Sequence, residues 1–158
     1  QSLAKRLGAM GMTVLGYDVD SSKTLQETNG EMLDLAELFQ QSDYLFLACS
    51  LTPENYHILD QSAFSTMKRG VSVINVARGP LIDETALMAA LDTGKVGSAA
   101  LDVFEEEPLA AGHPLMKYPQ VVLGSHNASN TREAVLRTNQ RAIDNLVRDL
   151  QLSQSVMD

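Results

Sequence analysis

The sequence has a single cysteine, no cluster of basic residues, and no apolar run approaching the roughly 18 residues that a membrane-spanning helix needs. Cys49 alone cannot form an internal disulfide, which excludes a disulfide scaffold and is compatible with a reducing compartment. The first residues lack the pattern of a secretion signal. A net charge of -8 opposes binding to nucleic acid, which requires a positive face. We therefore expect a cytoplasmic protein whose partners are small molecules or proteins, with no membrane or nucleic-acid contacts.

Size and composition indicate one globular domain. The chain has 158 residues, of which 44% are hydrophobic and 20% charged, as is typical of folded proteins rather than disordered ones. This length allows a real hydrophobic core but is short for a two-domain enzyme. We expect a partner domain to be absent from this sequence.

Short apolar runs of strand length alternate with helical patterns along the chain. The apolar runs are Thr13–Tyr17, Tyr44–Ala48, Val71–Val76, Val96–Leu101 and Val121–Leu123. The helical patterns cover Leu3–Met10, Asp34–Gln41, Asp60–Lys68 and Asp83–Thr93. Three of them begin on an aspartate that can cap a helix, and the last closes on Gly94. Buried strands joined by helical crossovers predict an α/β fold with a doubly wound, Rossmann-like parallel sheet.

The pattern changes near residue 130, where one long amphipathic helix is predicted from Asn130 to about Leu150. This helix either crosses toward a neighbouring domain or packs on the same core, and the sequence leaves both arrangements open. We therefore divide the chain into a cofactor-binding domain, residues 1–130, and a C-terminal helix, residues 131–158.

The first chemical signal is Asp18, at the end of the first predicted strand. In a doubly wound dinucleotide-binding fold, an acid in this place hydrogen-bonds the adenosine ribose and repels the 2'-phosphate of NADP, which favours NAD. Taken alone, such an aspartate more often caps a turn. The glycine-rich loop expected about 20 residues upstream is missing from the sequence, together with the fold's first strand. That strand is central, so we expect the second and fourth strands to lack their common neighbour.

Polar residues also follow the later strands, where open α/β sheets bind ligands. The guanidinium group of Arg78 can bind a substrate carboxylate through two parallel hydrogen bonds, although an isolated arginine is more often a salt-bridged surface residue. Asp102 is placed to reach a nicotinamide ring, and Glu107 can orient a histidine. His126 can exchange a proton with a carbonyl oxygen because imidazole titrates near neutral pH.

Simpler interpretations exist for several of these residues. The acidic run Glu105–Glu107 is typical of a solvated loop, and we expect at least two of its three side chains to be just that. A lone histidine is more often structural than catalytic. His57 and His113 have no strand-end setting, and we interpret both as loop or surface residues.

Three segments in this order resemble the signatures of the D-isomer-specific 2-hydroxyacid dehydrogenase family: Asn75–Asp83, Ala100–Pro108 and Ser125–Ser129. The resemblance runs nearly from end to end. The segment from Gln1 to Met12 is similar to the helix after the family's glycine loop, and the segment from Cys49 to Pro53 is similar to a loop on the adenosine side of the cofactor. Ser125 stands where proline is usual and Asn127 where an apolar residue is frequent, and both departures bear on substrate preference.

The resemblance implies an NAD-dependent oxidoreductase that interconverts a small 2-oxo acid and its D-2-hydroxy acid, near phosphoglycerate dehydrogenases and glyoxylate or hydroxypyruvate reductases. It implies that Arg78 binds the substrate carboxylate, that His126 is the proton donor or acceptor, and that Glu107 orients His126. No metal is expected. The implied cofactor-binding residues are Asp18, Cys49, Ser50, Thr52, Val76, Ala77, Arg78, Asp102, His126, Ala128 and Ser129.

The resemblance also has consequences for assembly and for the class of protein. It implies a symmetric homodimer whose contact includes surfaces around the loop from Phe104 to Pro119. The alternative to an enzyme is a cofactor-sensing binding protein of the corepressor type, because such proteins resemble this family even in the catalytic trio.

Overall fold

The computed structural model describes residues 2–20, 22–25, 28 and 30–154. Gln1, which the sequence places next to a glycine loop, lies outside the described residues. The helices are α1 (Ser2–Ala9), α2 (Leu35–Gln41), α3 (Gln61–Thr66), α4 (Glu84–Asp92) and α5 (Arg132–Gln154). The strands are β1 (Leu15–Gly16), β2 (Glu31–Met32), β3 (Tyr44–Leu47), β4 (Val71–Asn75), β5 (Val96–Leu101) and β6 (Val121–Leu123). Short 3-10 turns occupy Pro53–Asn55, Gly79–Leu81 and Pro114–Lys117.

All described strands pair in parallel, which confirms the predicted α/β class. Strands β3, β4, β5 and β6 form one sheet in that order, and β1 pairs with β2 in a second, two-stranded sheet. Among the described residues, no ladder joins β1 to β3. This agrees with the expectation that these two strands lack a common neighbour.

The predicted aspartate caps are confirmed at three helices. The side chains of Asp34, Asp60 and Asp83 each accept a hydrogen bond from the backbone N–H three residues later, at 2.8, 2.8 and 3.0 Å. Each bond satisfies an N–H group that the first helical turn would otherwise leave unpaired. At the other end of α4, Gly94 has a φ of 67°, a conformation that glycine adopts without strain.

The core lies on one face of the four-stranded sheet, where buried strand residues pack with side chains of α2, α3 and α4. In β4, Val71, Val73 and Asn75 are fully buried and the residues between them are half-buried. Leu87 and Leu91 of α4 pack into the same apolar cluster. Strands β5 and β6 consist almost entirely of apolar and small residues, which explains why the sequence pattern predicted them with their observed bounds.

Two features near the N-terminus differ from the prediction. Strand β1 is shorter than the predicted Thr13–Tyr17, and β2 was not predicted at all. Each has only two residues, so their strand conformation depends on the pairing of Leu15 with Glu31 and of Gly16 with Met32. Such pairing between distant segments leaves little trace in a local hydrophobic pattern.

Helix α5 begins at Arg132, where the Thr131 hydroxyl accepts the Ala134 N–H at 3.1 Å. Apart from half-buried Ala134, residues 132–150 are exposed, so α5 does not pack on the core of the described residues. The exposed apolar side chains are Val135, Leu136, Ile143, Leu146, Val147 and Leu150. The division near residue 130 stays a prediction. None of the described helices is sufficiently long and apolar to cross a membrane.

Candidate active site

The residues singled out by the sequence gather at one edge of the sheet. Because β3 to β6 are parallel, the segments that follow them emerge at the same edge. Arg78 follows β4, Asp102 and Glu107 follow β5, and His126 follows β6. This edge is where open α/β folds bind ligands at their strand ends.

The turn that carries Arg78 is built by a buried asparagine. Asn75, the last residue of β4, is fully buried; its side-chain Nδ2 donates to the Arg78 carbonyl at 2.8 Å, and its Oδ1 accepts the Ala77 N–H at 3.0 Å. These bonds fix the backbone on both sides of Val76. The Arg78 side chain is exposed and donates to the Ala77 carbonyl at 2.6 Å. Among the described residues it has no acidic partner within ion-pair distance, which does not support the interpretation as a salt-bridged surface residue.

A glycine brings this turn against the loop that carries Glu107. A Cβ atom on Gly79 would lie 1.8 Å from the Phe104 carbonyl oxygen, so only glycine allows this contact. The two loops that hold Arg78 and Glu107 are therefore packed backbone to backbone.

His126 and Glu107 form a hydrogen-bonded pair. His126 Nδ1 lies 2.7 Å from Glu107 Oε2, and Glu107 Oε1 accepts the Phe104 N–H at 3.0 Å. The hydrogen bond from His126 and the one from the Phe104 backbone hold the pKa of Glu107 below its usual value, so this carboxyl group is charged at neutral pH. A carboxylate on Nδ1 selects the ring orientation and leaves Nε2 available for a ligand.

The backbone of the His126 segment is held by Asp102. The Asp102 carbonyl accepts the His126 N–H at 2.7 Å, and its carboxylate accepts the N–H groups of Asn127 and Ala128 at 3.1 and 2.8 Å. Partial burial acts to raise the pKa of Asp102, but these backbone donors outweigh it and lower the pKa below its usual value. The close approach also requires Gly124, where a Cβ would lie 2.3 Å from Asp102 Oδ1. His126 itself has a φ of 55°, which is uncommon for a residue other than glycine.

The residues predicted for the adenosine side lie after β1 and β3. Asp18 is exposed, and its Oδ1 accepts the Asp20 N–H at 2.9 Å. Cys49, Ser50 and Thr52 lie in an exposed loop that Asn55 organises by donating to the Ser50 carbonyl and accepting the Thr52 N–H, both at 2.8 Å. A surface cavity of about 560 Å³ opens beside this loop, lined by Leu51, Thr52, Pro53 and Tyr56.

Cys49 is an exposed free thiol whose pKa lies above its usual value. Loss of hydration raises its pKa, and the negative charge of Asp18 acts in the same direction. The thiol is therefore protonated at neutral pH, and a protonated thiol is a poor nucleophile.

The remaining predicted residues lie between these two groups. Val76 is exposed directly after β4, Ala77 is half-buried beside it, and Ala128 and Ser129 are exposed beyond His126. The structure thus brings the predicted residues that follow β3, β4, β5 and β6 to one edge of the four-stranded sheet, while Asp18 follows β1 of the two-stranded sheet.

The expectation that at least two of the acids Glu105–Glu107 are only solvated is wrong. Glu105 pairs with the ring of His57, and Glu107 pairs with His126. Only Glu106 has no hydrogen bond or ion pair within the part of the chain that the structure describes. The acidic run is therefore a folded turn whose first and last side chains point to different histidines.

His57 and His113 are also more than loop or surface residues. Both rings are partly buried, and each faces a carboxylate: His57 that of Glu105, and His113 that of Glu84, with 3.5 Å between Nε2 and Oε2. Glu84 was not singled out from the sequence. Its signal was an acid next to the capping Asp83 inside an otherwise apolar segment, which indicates a buried charge that needs partners.

Comparison with known proteins now identifies the family. The sequence profile described as "D-isomer specific 2-hydroxyacid dehydrogenase, NAD binding domain" matches residues 1–128. The chain belongs to this family. The predicted Rossmann-like fold and the resemblance inferred from the signature segments are both confirmed by this match.

Named relatives and solved structures agree with the assignment. A glyoxylate reductase of Thermofilum pendens is 41% identical over 91% of this chain and 43% of its own length. A D-3-phosphoglycerate dehydrogenase of Methanocaldococcus jannaschii is 41% identical over 85% of this chain and 26% of its own length. A D-isomer specific 2-hydroxyacid dehydrogenase of Xanthobacter autotrophicus, solved in complex with NADPH and MES, superposes with a TM-score of 0.82 at 34% identity, over 95% of this chain and 61% of that one. The chain thus spans less than half the length of the curated relatives it matches here.

Proposed function

We propose that this chain is the cofactor-binding part of an NAD-dependent enzyme that interconverts a small 2-oxo acid and its D-2-hydroxy acid. The observation that carries the proposal is the 2.7 Å pair of His126 and Glu107, at the strand-end edge that also holds Arg78 without an acidic partner among the described residues. A charged carboxylate behind an imidazole is a common arrangement of a general acid or base. An unpaired guanidinium is suited to a carboxylate substrate.

Each member of the trio then has a distinct task. When bound, NADH supplies the hydride that reduces the carbonyl carbon. His126 holds a proton at Nε2 and donates it to the carbonyl oxygen; in the oxidative direction the same nitrogen accepts the hydroxyl proton. Glu107 keeps the ring oriented and favours its charged form. Arg78 binds the carboxylate of the acid and so aligns its carbonyl group with His126.

The residues present fit an NAD molecule lying along the strand ends. Asp18 is an exposed acid at the end of β1, where it can accept hydrogen bonds from the adenosine ribose. Cys49, Ser50 and Thr52 can line the adenosine side, and Val76, Ala77, Asp102, Ala128 and Ser129 can line the nicotinamide side. The negative charge of Asp18 favours NAD over NADP, because NADP carries a 2'-phosphate at this position.

We also propose that the protein acts in the cytoplasm as a homodimer. The segment from Phe104 to Pro119, which the family resemblance places in the dimer contact, is anchored by fully buried Leu115 and leaves Met116 half exposed. An anchored backbone that presents an apolar side chain is a reasonable contact surface between subunits.

The deciding experiment is an assay of the complete polypeptide that the gene encodes. It should be incubated with NADH and, in turn, glyoxylate, hydroxypyruvate or 3-phosphohydroxypyruvate, and the loss of NADH absorbance followed. We expect at least one acid to be reduced, with the D-hydroxy acid as product on chiral chromatography. A protein that binds NADH but reduces none of the three would contradict the proposal.

A further inference from the structure

Glu84 is a buried charge whose side chain is not needed for the helix on which it lies. Its residue is only 7% exposed, at the first position of α4. Asp83 already caps this helix by accepting the Ala86 N–H. A buried carboxylate is costly unless it is hydrogen-bonded, so its partners indicate what it does.

The main partner of Glu84 lies in the loop of the proposed catalytic pair. Glu84 Oε1 accepts the backbone N–H of Glu105 at 2.8 Å, and Oε2 faces the ring of His113. Glu105 directly follows Phe104, whose N–H binds Glu107. The bond from Glu84 therefore fixes the middle of the short turn that sets the position of the Glu107 carboxylate.

A second contact holds the same residue from its side chain. His57 Nε2 is hydrogen-bonded to Glu105 Oε1. The backbone N–H of His57 donates to the Pro80 carbonyl at 2.8 Å, and its ring stacks on Tyr56 with centroids 4.0 Å apart. His57 thus connects the Glu105 turn to the turn that follows Arg78.

We propose that Glu84 and His57 are positioning residues, which hold Glu105 by its backbone and its side chain and thereby place Glu107 against His126. The inference rests on the proposed function, because it assigns these residues a role in proton transfer rather than in stability alone. Neither residue contacts the reacting atoms. Their effect passes through the turn and ends at the Glu107 carboxylate.

The location of the turn predicts which kinetic constant changes. Asp18 and the loop that carries Cys49 follow β1 and β3, whereas the Glu105 turn follows β5. Loss of Glu84 should therefore lower kcat while the KM for NADH stays nearly constant. A displacement of about 1 Å in a catalytic group can cost about 100-fold in rate, so we expect Glu84→Ala to lower kcat by roughly 10- to 100-fold.

The experiment is a double-mutant cycle in the complete gene product. Glu84→Ala and Glu84→Gln are each made in the wild type and in a Glu107→Gln background. Glutamine keeps an oxygen that can accept the Glu105 N–H, so Glu84→Gln should retain kcat within about threefold of wild type. If Glu84 acts through Glu107, Glu84→Ala should change kcat by less than about threefold once Glu107 is already replaced.

Two further variants control for charge and for folding. Glu106→Ala removes an exposed acid from the same turn and should leave kcat unchanged. His57→Asn tests the second contact if Glu84→Ala does not fold, because asparagine tolerates the φ of 52° at this position but is too short to reach Glu105. It should lower kcat in the wild type and have little effect beside Glu107→Gln.

The outcomes separate this inference from the proposed function. Equal losses of kcat in both backgrounds, a parallel rise in the KM for NADH, or an equal effect of Glu106→Ala would overturn the positioning role. If the wild type reduces none of the 2-oxo acids, the proposed function fails first. Amide hydrogen exchange then tests the contact between Glu84 and the Glu105 N–H without any need for activity. Glu84→Ala should speed exchange at the Glu105 N–H, and Glu106→Ala should not. Unchanged exchange in Glu84→Ala would refute the positioning role.

Discussion

Replacing Glu107 by glutamine removes one negative charge from the proposed site. Because of the surrounding hydrogen bonds, it also reverses the direction of the hydrogen bond between residue 107 and His126 Nδ1. The Phe104 N–H at 3.0 Å requires an oxygen in the Oε1 position. The glutamine oxygen must therefore face Phe104, which directs its NH2 group at His126 Nδ1. A ring nitrogen that accepts this bond leaves the ring proton on Nε2, so a neutral His126 can no longer accept a proton there.

The size of the effect follows from the lost hydrogen bond. A hydrogen bond to a charged group contributes about 1.5–3 kcal/mol, which corresponds to roughly 10- to 150-fold in rate. The side chains of His126 and Glu107 are 48% and 34% exposed, so solvent screening favours the lower limit. We expect kcat to fall about tenfold, and the oxidative direction, which needs a base at Nε2, to suffer more than reduction.

The pH dependence should change in a defined direction. Reduction requires the protonated ring, so its rate falls as the pH rises. The hydrogen bond from His126 lowers the pKa of Glu107, and by the same coupling the charged carboxylate favours the protonated ring, so Glu107→Gln should move this fall to lower pH. The assay is NADH consumption against pH, with Glu106→Gln as the matched control. A Glu107→Gln profile that coincides with the wild type, at full kcat, would refute the assigned role of Glu107.

Four further predictions concern the other proposed residues and the assembly. His126→Ala should lower turnover by about 100-fold or more with little change in NADH affinity, since general acid catalysis contributes about 10²- to 10⁴-fold; equal losses of both would indicate a structural role. Arg78→Lys keeps the positive charge but loses the bidentate hydrogen bonds to the substrate carboxylate, so the KM for the 2-oxo acid should rise more than kcat falls in steady-state assays. Asp18→Ala should narrow the preference for NAD over NADP in titrations of both cofactors, and comparable wild-type dissociation constants would remove Asp18 from the ribose site. Light scattering of the complete gene product at micromolar concentration should give a dimer mass, and a monomer would count against the contact around Phe104 to Pro119.

The parts of the fold that depend on local sequence could be predicted well. The bounds of β5 and β6 and the caps at Asp34, Asp60 and Asp83 follow from short-range patterns, because strand burial and helix capping involve residues within a few positions of each other. Strand β2 could not be predicted in this way, since its two residues become a strand only by pairing with β1.

The same distinction between local and long-range features applies to the residues of the proposed site. Arg78, Glu107 and His126 stand out because each follows a strand, a feature visible in the sequence. The contacts of Glu84 with Glu105 and of His57 with Glu105 join residues 21 and 48 positions apart. Their partners are set by how the crossovers pack, so the sequence showed the charges but not the pairs.

The proposed site is sensitive to any substitution at Gly79, although this residue has no side chain that could take part in binding or catalysis. A Cβ atom on Gly79 would lie 1.8 Å from the Phe104 carbonyl oxygen, so even one added methyl group must push apart the backbones that carry Arg78 and Glu107. The contact between Gly79 and Phe104 therefore sets the distance between the loop that carries Arg78 and the loop that carries Glu107. If Arg78 and His126 have the proposed roles, a larger or smaller substrate has to be accommodated by side-chain changes or by the surfaces that face these loops, because the backbone contact fixes the spacing of the two loops.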